Sequence, residues 1–318
     1  MNPSDVPRHL DDLNAQVGQA LVGAERHVRL IFIALLVRGH ILIEGVPGTG
    51  KTLLARAIGR CLGLEVRRIQ CTPDLMPGDV LGANIFDFRS QSFTLTRGPV
   101  FTEMLLADEI NRTPPKAQAA LLEAMQERAV SIDGTTHRLS SRFTVIATQN
   151  PVEHEGTYPL PEAQLDRFLF KLQTDYPDQE LEERVVIEHS AASSPPELDG
   201  AEMQPHLTGD ELDALRCVPA KVRIDPEIAR YSVALARATR DHAWISLGLS
   251  TRAATALGAA ARGAAACEGR DFVVPDDVKA LFRPLARHRV LLAPAADIED
   301  VDVDTVLDEI LRQVPAPR

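Results

Sequence analysis

Apolar residues recur at helical spacing between residues 13 and 38, through Val28, Ile31, Leu35 and Leu36, and predict one long helix there. The pattern then shortens. His40-Ile41-Leu42-Ile43-Glu44 is an apolar run of strand length, the glycine-rich turn Gly45 to Gly50 follows it, and Leu53, Leu54, Ala57 and Ile58 resume a helical stripe from about Lys51. Further buried strands are predicted at 66–70, 104–108, 143–148 and 168–173, with helices between them. This alternation predicts a doubly wound α/β domain over residues 1–175.

Two stretches interrupt it. Residues 79–100 hold several glycines and short alternating runs, and residues 129–139 (AVSIDGTTHRL) predict a β-hairpin around Asp133-Gly134. After Tyr176-Pro177 the strand pattern stops. A helix is expected over 178–190, an exposed loop over the Ala-, Ser- and Pro-rich 191–208, and helices over 226–240, 250–266, 275–286 and 303–314. The last carries one apolar stripe through Val303, Val306, Leu307, Ile310, Leu311 and Val314. A second, all-helical domain is therefore expected over 176–318.

Composition narrows the class. Hydrophobic residues make up 45% of the chain and aromatics only 4%, so aliphatic side chains and alanine must fill the core, which suits helices on a parallel sheet better than a β-sandwich. The 34 basic and 45 acidic residues give a net charge of −11, against the basic excess expected of a nucleic-acid binder. Cys61, Cys71, Cys217 and Cys267 form no CxxC pair and have no histidine at ligand spacing, so free thiols in a reducing compartment are expected. The acidic, polar start MNPSDVPRHLDDLN is unlike a signal peptide, and the apolar run from Leu30 to Val37 is too short to span a bilayer. A soluble, cytoplasmic protein is expected. The acidic stretch Asp297 to Asp304 reads as the solvated first turn of the last helix rather than a metal site.

The chemistry begins at Gly45-Val46-Pro47-Gly48-Thr49-Gly50-Lys51-Thr52, which fits G-x-x-x-x-G-K-[ST], the Walker A pattern, in full. Its glycines let backbone N–H groups turn inward around phosphate oxygens, and the following helix N-terminus adds a positive dipole end. Lys51 is expected to reach the β- and γ-phosphates, and Thr52 to place its hydroxyl on Mg²⁺. The apolar run Met104-Leu105-Leu106-Ala107 ends in Asp108-Glu109, a Walker B arrangement. A buried strand delivers such carboxylates to the ligand edge of the sheet, Asp108 for Mg²⁺ and Glu109 to orient and deprotonate the attacking water. A third run, Phe143 to Gln149, ends at Asn150, which either contacts the γ-phosphate or water or serves as a turn residue before Pro151. Phosphoryl transfer calls for more positive charge at the γ-phosphate. Arg167 in LDRF and Arg252 in GLSTRA are the candidates, each equally readable from its local sequence as a surface arginine.

Taken together, the P-loop, the acid-tipped strand, the Asn-tipped strand, LDRF and a helical domain bearing an arginine resemble AAA+ ATPases. The segments GVPGTGKT, RGPVFTEMLLADEINRTPPKAQAALLEAMQE and VIATQNPVEHEGTYPLPEAQLDRF are closer still to the MoxR family, and the similarity runs from about residue 17 to 314. The resemblance implies an AAA+ domain with a five-stranded parallel sheet, a smaller helical lid, and ATP bound between them at a subunit boundary. It makes Asn150 sensor one, Arg252 sensor two, and Arg167 an arginine finger acting on the neighbour's ATP, so a homo-hexameric ring is expected. It places Val22 and Gly23 near the adenine, with Leu53 also expected at the nucleotide. The 79–100 and 129–139 segments resemble clade inserts facing the substrate or pore, and Arg112 matches the family's DEINR. Where the family often has proline before the lid arginine, this chain has Thr251. The resemblance further implies chaperone-like work on a protein client with a von Willebrand factor A domain partner. A magnesium chelatase ATPase subunit, a DNA-directed AAA+ protein such as a helicase or transcription activator, and a non-catalytic nucleotide-gated scaffold are the competing readings; the activators' GAFTGA loop is missing from the 79–100 segment. A GTPase is disfavoured because no NKxD-type motif is visible.

Overall fold

A computed structural model of the chain describes residues 1–89, 91–152, 156–176, 179–189 and 204–317. Five parallel strands form the central sheet: β1 (His40–Gly45), β2 (Val66–Gln70), β3 (Met104–Asp108), β4 (Thr144–Gln149) and β5 (Phe168–Thr174), in the order β2-β3-β4-β1-β5. The first strand thus sits inside the sheet, between β4 and β5. The C-terminal ends of β1, β3 and β4 line up along one edge, and that edge carries the P-loop, Asp108 and Asn150.

Alternate residues of each strand feed opposite layers, because side chains leave a strand with period 2. Ile41, Ile43, Leu106 and Ile146 enter one layer with the helices Glu25–Leu36 and Lys51–Cys61, while Leu42, Leu105, Ala107, Val145 and Ala147 enter the other with the helix Pro115–Glu127. Both faces of β1, β3 and β4 are covered, which explains their apolar runs, whereas the edge strand β2, expected from the sequence to be buried, exposes Arg67, Arg68 and Gln70.

Three sequence expectations are refined. The helix expected over 13–38 is two helices, Val6–Gly18 and Glu25–Leu36, parted by a turn in which Gly23 has φ +78°. A stripe at constant period does not register such a break, because both halves bury their apolar face in the same layer. The helical region has a short antiparallel pair, Ile245–Leu247 with Leu291–Leu292. The loop expected over 191–208 lies mostly outside the described residues. Both interrupting segments are hairpins: Gly82–Asp87 with Ser92–Arg97, and Ala129–Ile132 with Thr135–Arg138. The second turns at Asp133 and Gly134, both at positive φ, as a two-residue hairpin loop requires. The Asp302 carboxylate accepts from the N–H groups of Asp304 and Thr305 and caps the helix Val303–Gln313, so this part of the acidic stretch forms the first turn of the last helix.

The lid packs on the back of the sheet domain. Its alanine-rich helix Thr251–Cys267 lies against Glu25–Leu36 so closely that a Cβ on Gly263 would stand 3.1 Å from Ile33 Cγ2. Ala253, Ala260, Ala261 and Ala264 are buried on the same helix, and side chains this small allow so close an approach. No helix among the described residues is long and apolar enough to cross a membrane.

Candidate nucleotide site

The P-loop leaves β1 at Gly45, which pairs with Thr174 of β5. A Cβ at Gly45 would fall 2.0 Å from the Thr174 hydroxyl oxygen and 2.2 Å from its carbonyl oxygen, so only glycine fits at this close approach. Gly48 and Gly50 have φ +84° and +75°, which turns the loop back so that the helix Lys51–Cys61 starts directly under it. The Thr49 hydroxyl donates to the Val46 carbonyl at 3.0 Å and fixes the curl. The Lys51 ammonium donates to the carbonyls of Gly45 and Val46, each at 2.6 Å. Burial lowers its pKa from the usual lysine value, while Asp108 and Glu109 pull it back up.

Around the loop lies a cavity of about 690 Å³. Val22, Gly23, Pro47, Gly48, Thr49, Gly50, Lys51 and Leu53 all line it. Its far wall is the helix Gln179–His189, through Leu181, Glu182, Val185 and Val186. The segment preceding Glu25 and the helix following β5 thus flank a space of the size and polarity that a nucleotide needs.

At the tips of β3 and β4 the polar groups converge. Asp108 is buried, and its carboxylate accepts from the Thr52 hydroxyl at 3.1 Å, the Thr148 hydroxyl at 3.2 Å and Arg68 Nε at 2.6 Å. Thr52 and Asp108 supply the hard oxygen donors that Mg²⁺ prefers, next to the phosphate cradle, so the donor set fits that ion. Glu109 stands at φ +59°, its N–H donating to the Thr148 hydroxyl at 2.9 Å, and its carboxylate accepts from Arg112 at 3.2 Å and Gln70 at 3.3 Å. A left-handed backbone at a non-glycine residue is the kind of strain that marks functional sites. Asn150 is buried at the end of β4, where its side-chain oxygen accepts from the Val152 N–H at 3.1 Å and its carbonyl accepts from Asn111 at 3.2 Å.

Arg68, Gln70 and Thr148 were not singled out from the sequence. Arg68 and Gln70 stand two apart on β2, so both point to one face, but nothing in VRRIQ announces that the face meets the β3 acids across the sheet.

The two candidate arginines lie elsewhere. Arg167 precedes β5, at the N-terminal edge of the parallel sheet, whereas the P-loop follows β1 at the C-terminal edge. Since His40 pairs with Phe168 and Gly45 with Thr174, the length of β5, roughly 20 Å, separates Arg167 from its own P-loop. Arg252 starts the lid helix Thr251–Cys267 and lines the same cleft as Arg167 instead of the P-loop cavity. The lid helix Thr251–Cys267 rests on Glu25–Leu36 rather than over the phosphates, so the two arginines line one cleft away from the chain's own Lys51. Their cleft, about 260 Å³, holds Arg38, Arg128, Arg167, Arg252 and Arg289 against one carboxylate, Asp166. Arg167 Nε and Nη1 are buried with no hydrogen-bond partner among the described residues.

The model of the ATPase family associated with various cellular activities matches residues 40–170, and that of the AAA lid domain matches residues 237–310. The chain is 42% identical to Chaperone MoxR1 of Mycobacterium tuberculosis, covering 95% of this chain and 81% of that one. The chain belongs to the MoxR family of AAA+ ATPases. It is also 42% identical to the uncharacterized protein YeaC of Bacillus subtilis, over 96% of this chain and 97% of that one, and 32% identical to Protein MoxR of Paracoccus denitrificans, over 99% and 98%. A crystal structure from Cytophaga hutchinsonii, of a protein provisionally named an ATPase, superposes with a TM-score of 0.90 at 36% identity, covering 99% of this chain and 97% of that one. A MoxR-family reading accounts for the five-stranded sheet, the lid and the P-loop together.

Proposed function

We propose that this MoxR-family chain hydrolyses ATP with Mg²⁺ at sites shared between neighbouring subunits of a homo-hexameric ring, and uses the cycle to remodel or activate a protein client together with a von Willebrand factor A domain partner. The observation that carries the shared site is the position of Arg167. It stands roughly 20 Å along β5 from its own P-loop, in a cationic cleft, so its charge is out of reach of its own nucleotide.

In this reading the backbone N–H groups of Gly48 to Lys51 hold the β- and γ-phosphates, and Lys51 exchanges its two loop carbonyls for phosphate oxygens. Bound Mg²⁺ would neutralise charge on those oxygens, held by Thr52 and Asp108. Glu109 orients water and accepts its proton, and Asn150 at the tip of β4 fixes the γ-phosphate or that water. Arg167 and Arg252 from the adjacent subunit stabilise charge as it develops, a contribution of about 10³ to 10⁵ in rate for such an arginine. The chaperone-like role follows the relative named a chaperone, and the von Willebrand factor A domain partner and cytoplasmic location follow the family resemblance alone.

Mixing variants tests the shared site. Arg167→Ala subunits keep an intact P-loop, and Lys51→Ala subunits keep an intact finger, so each is expected to be nearly inactive alone and the mixture to regain ATPase activity. No recovery at any mixing ratio refutes a finger acting between subunits.

A further inference from the structure

The pose of Arg167 has no support from two of its own side-chain nitrogens, since Nε and Nη1 find no partner among the described residues. Three other arginines, Arg38, Arg128 and Arg252, line the same cleft. What holds the segment is a lid residue that grips it on either side. Arg289 lies just beyond the lid helix Pro275–Ala286, with its side chain 5% exposed. Its Nε donates to the Asp166 carboxylate at 2.7 Å and its Nη2 to the Asp166 carbonyl at 3.2 Å, on one side of Arg167. The same guanidinium donates to the carbonyl of Phe168 at 2.5 Å and to that of Leu169 at 3.0 Å, on the other side. His288 adds a contact to the Phe168 carbonyl at 2.8 Å. One planar, five-donor group thus brackets the finger residue and ties it to the lid.

We infer that Arg289, through its ion pair with Asp166, is the positioning residue for Arg167, so that the lid of one subunit sets the finger presented to the next. The inference rests on Arg167 acting between subunits. Arg289 lines the arginine cleft and not the P-loop cavity: it fixes the backbone from which Arg167 projects, and a lid that shifted would carry residues 166–169 with it. Misplacing a catalytic group by about 1 Å costs on the order of 100-fold in rate, so loosening this bracket is expected to lower kcat by roughly that factor.

The test uses Arg289→Lys, which keeps the charge and loses the fork, and Asp166→Asn, which keeps the shape and loses the ion pair. Should Arg289→Lys fail to fold, Asp166→Asn carries the test. Each variant is expected to bind a fluorescent ADP analogue as wild type does, with KM unchanged and kcat reduced. Mixed with Lys51→Ala subunits, each is expected to regain activity. Mixed with Arg167→Ala subunits, each is expected to stay inactive, because neither parent offers a well-placed finger. Recovery in that second mixture, or weakened nucleotide binding, would place the defect in the variant's own P-loop side and overturn the inference. If Arg167→Ala with Lys51→Ala recovers but the Arg289 and Asp166 variants with Lys51→Ala do not, the positioning role of Arg289 fails and the shared site stands. If the Arg167→Ala control itself does not recover, both fall.

Discussion

The Thr52 hydroxyl donates to the Asp108 carboxylate across 3.1 Å, joining the first turn of the P-loop helix to the end of a strand 56 residues further along the chain. Asp108 also accepts from Arg68 and Thr148, so three donors fix its position. Asp108→Ala is expected to remove the Mg²⁺-dependent part of ATP affinity and leave the Mg²⁺-independent part. A titration of fluorescent nucleotide with and without Mg²⁺ measures this; an undiminished Mg²⁺ effect refutes the role of Asp108.

Glu109 is held between Arg112 and Gln70 by its carboxylate. Glu109→Gln retains the size of the side chain and loses the base. Nucleotide binding is expected to persist while turnover falls about 10²- to 10⁴-fold, the contribution of a general base. Single-turnover hydrolysis beside a binding isotherm reads both quantities, and normal turnover would remove Glu109 from the mechanism.

Gly45 and Gly48 are both P-loop glycines, yet they fail differently. At Gly45 an added Cβ meets Thr174 at 2.0 Å, whereas at Gly48 nothing lies within 4 Å and only the φ of +84° opposes a side chain. Gly45→Ala is expected to cost about 3 kcal/mol or more in stability, through overpacking against backbone. Gly48→Ala is expected to cost about 1–2 kcal/mol and to weaken nucleotide binding more than stability. Thermal melts with and without nucleotide separate the two, and equal melting losses would contradict the difference.

His40 is buried at the start of β1, accepting from the Val145 N–H at 2.9 Å through Nδ1 and donating from Nε2 to the Met125 carbonyl at 3.1 Å. Burial holds its pKa at about 4, below the ordinary 6.5. The folded state therefore takes up its proton later than the unfolded state as pH falls. Its stabilisation is fully present above pH 6.5 and is lost as pH falls from there towards 4, with a limit of roughly 3 kcal/mol. Melting temperature should decline over that window, and less steeply in His40→Gln; identical slopes would show that His40 is not the group responsible.

Much of this protein was legible in its sequence because the relevant signals are local. G-x-x-x-x-G-K-[ST] is a backbone shape written in eight consecutive residues, and the strand tips at Asp108 and Asn150 follow from apolar runs that end in polar residues. Their convergence at one edge follows from parallel strands. The 129–139 hairpin was equally readable, since Asp133-Gly134 supplies the two positive φ angles its turn needs. The break between Val6–Gly18 and Glu25–Leu36 was not, because both helices present apolar faces to one layer.

What only the tertiary structure decided is which residues meet across distance. Arg68 reaches Asp108 because β2 lies beside β3, a neighbourhood set by strand order and not by any local pattern. Arg252 joins Arg167, far from it in the chain, because an alanine-rich helix seats the lid against Glu25–Leu36 and leaves the P-loop cavity uncovered by it. The sequence by itself determined the P-loop, the strand-tip acids and the α/β frame, since each depends on backbone geometry over a few residues. Which end of the sheet the arginines occupy was decided by packing, because direction along a parallel sheet separates the two ends of β5 by more than an arginine can reach.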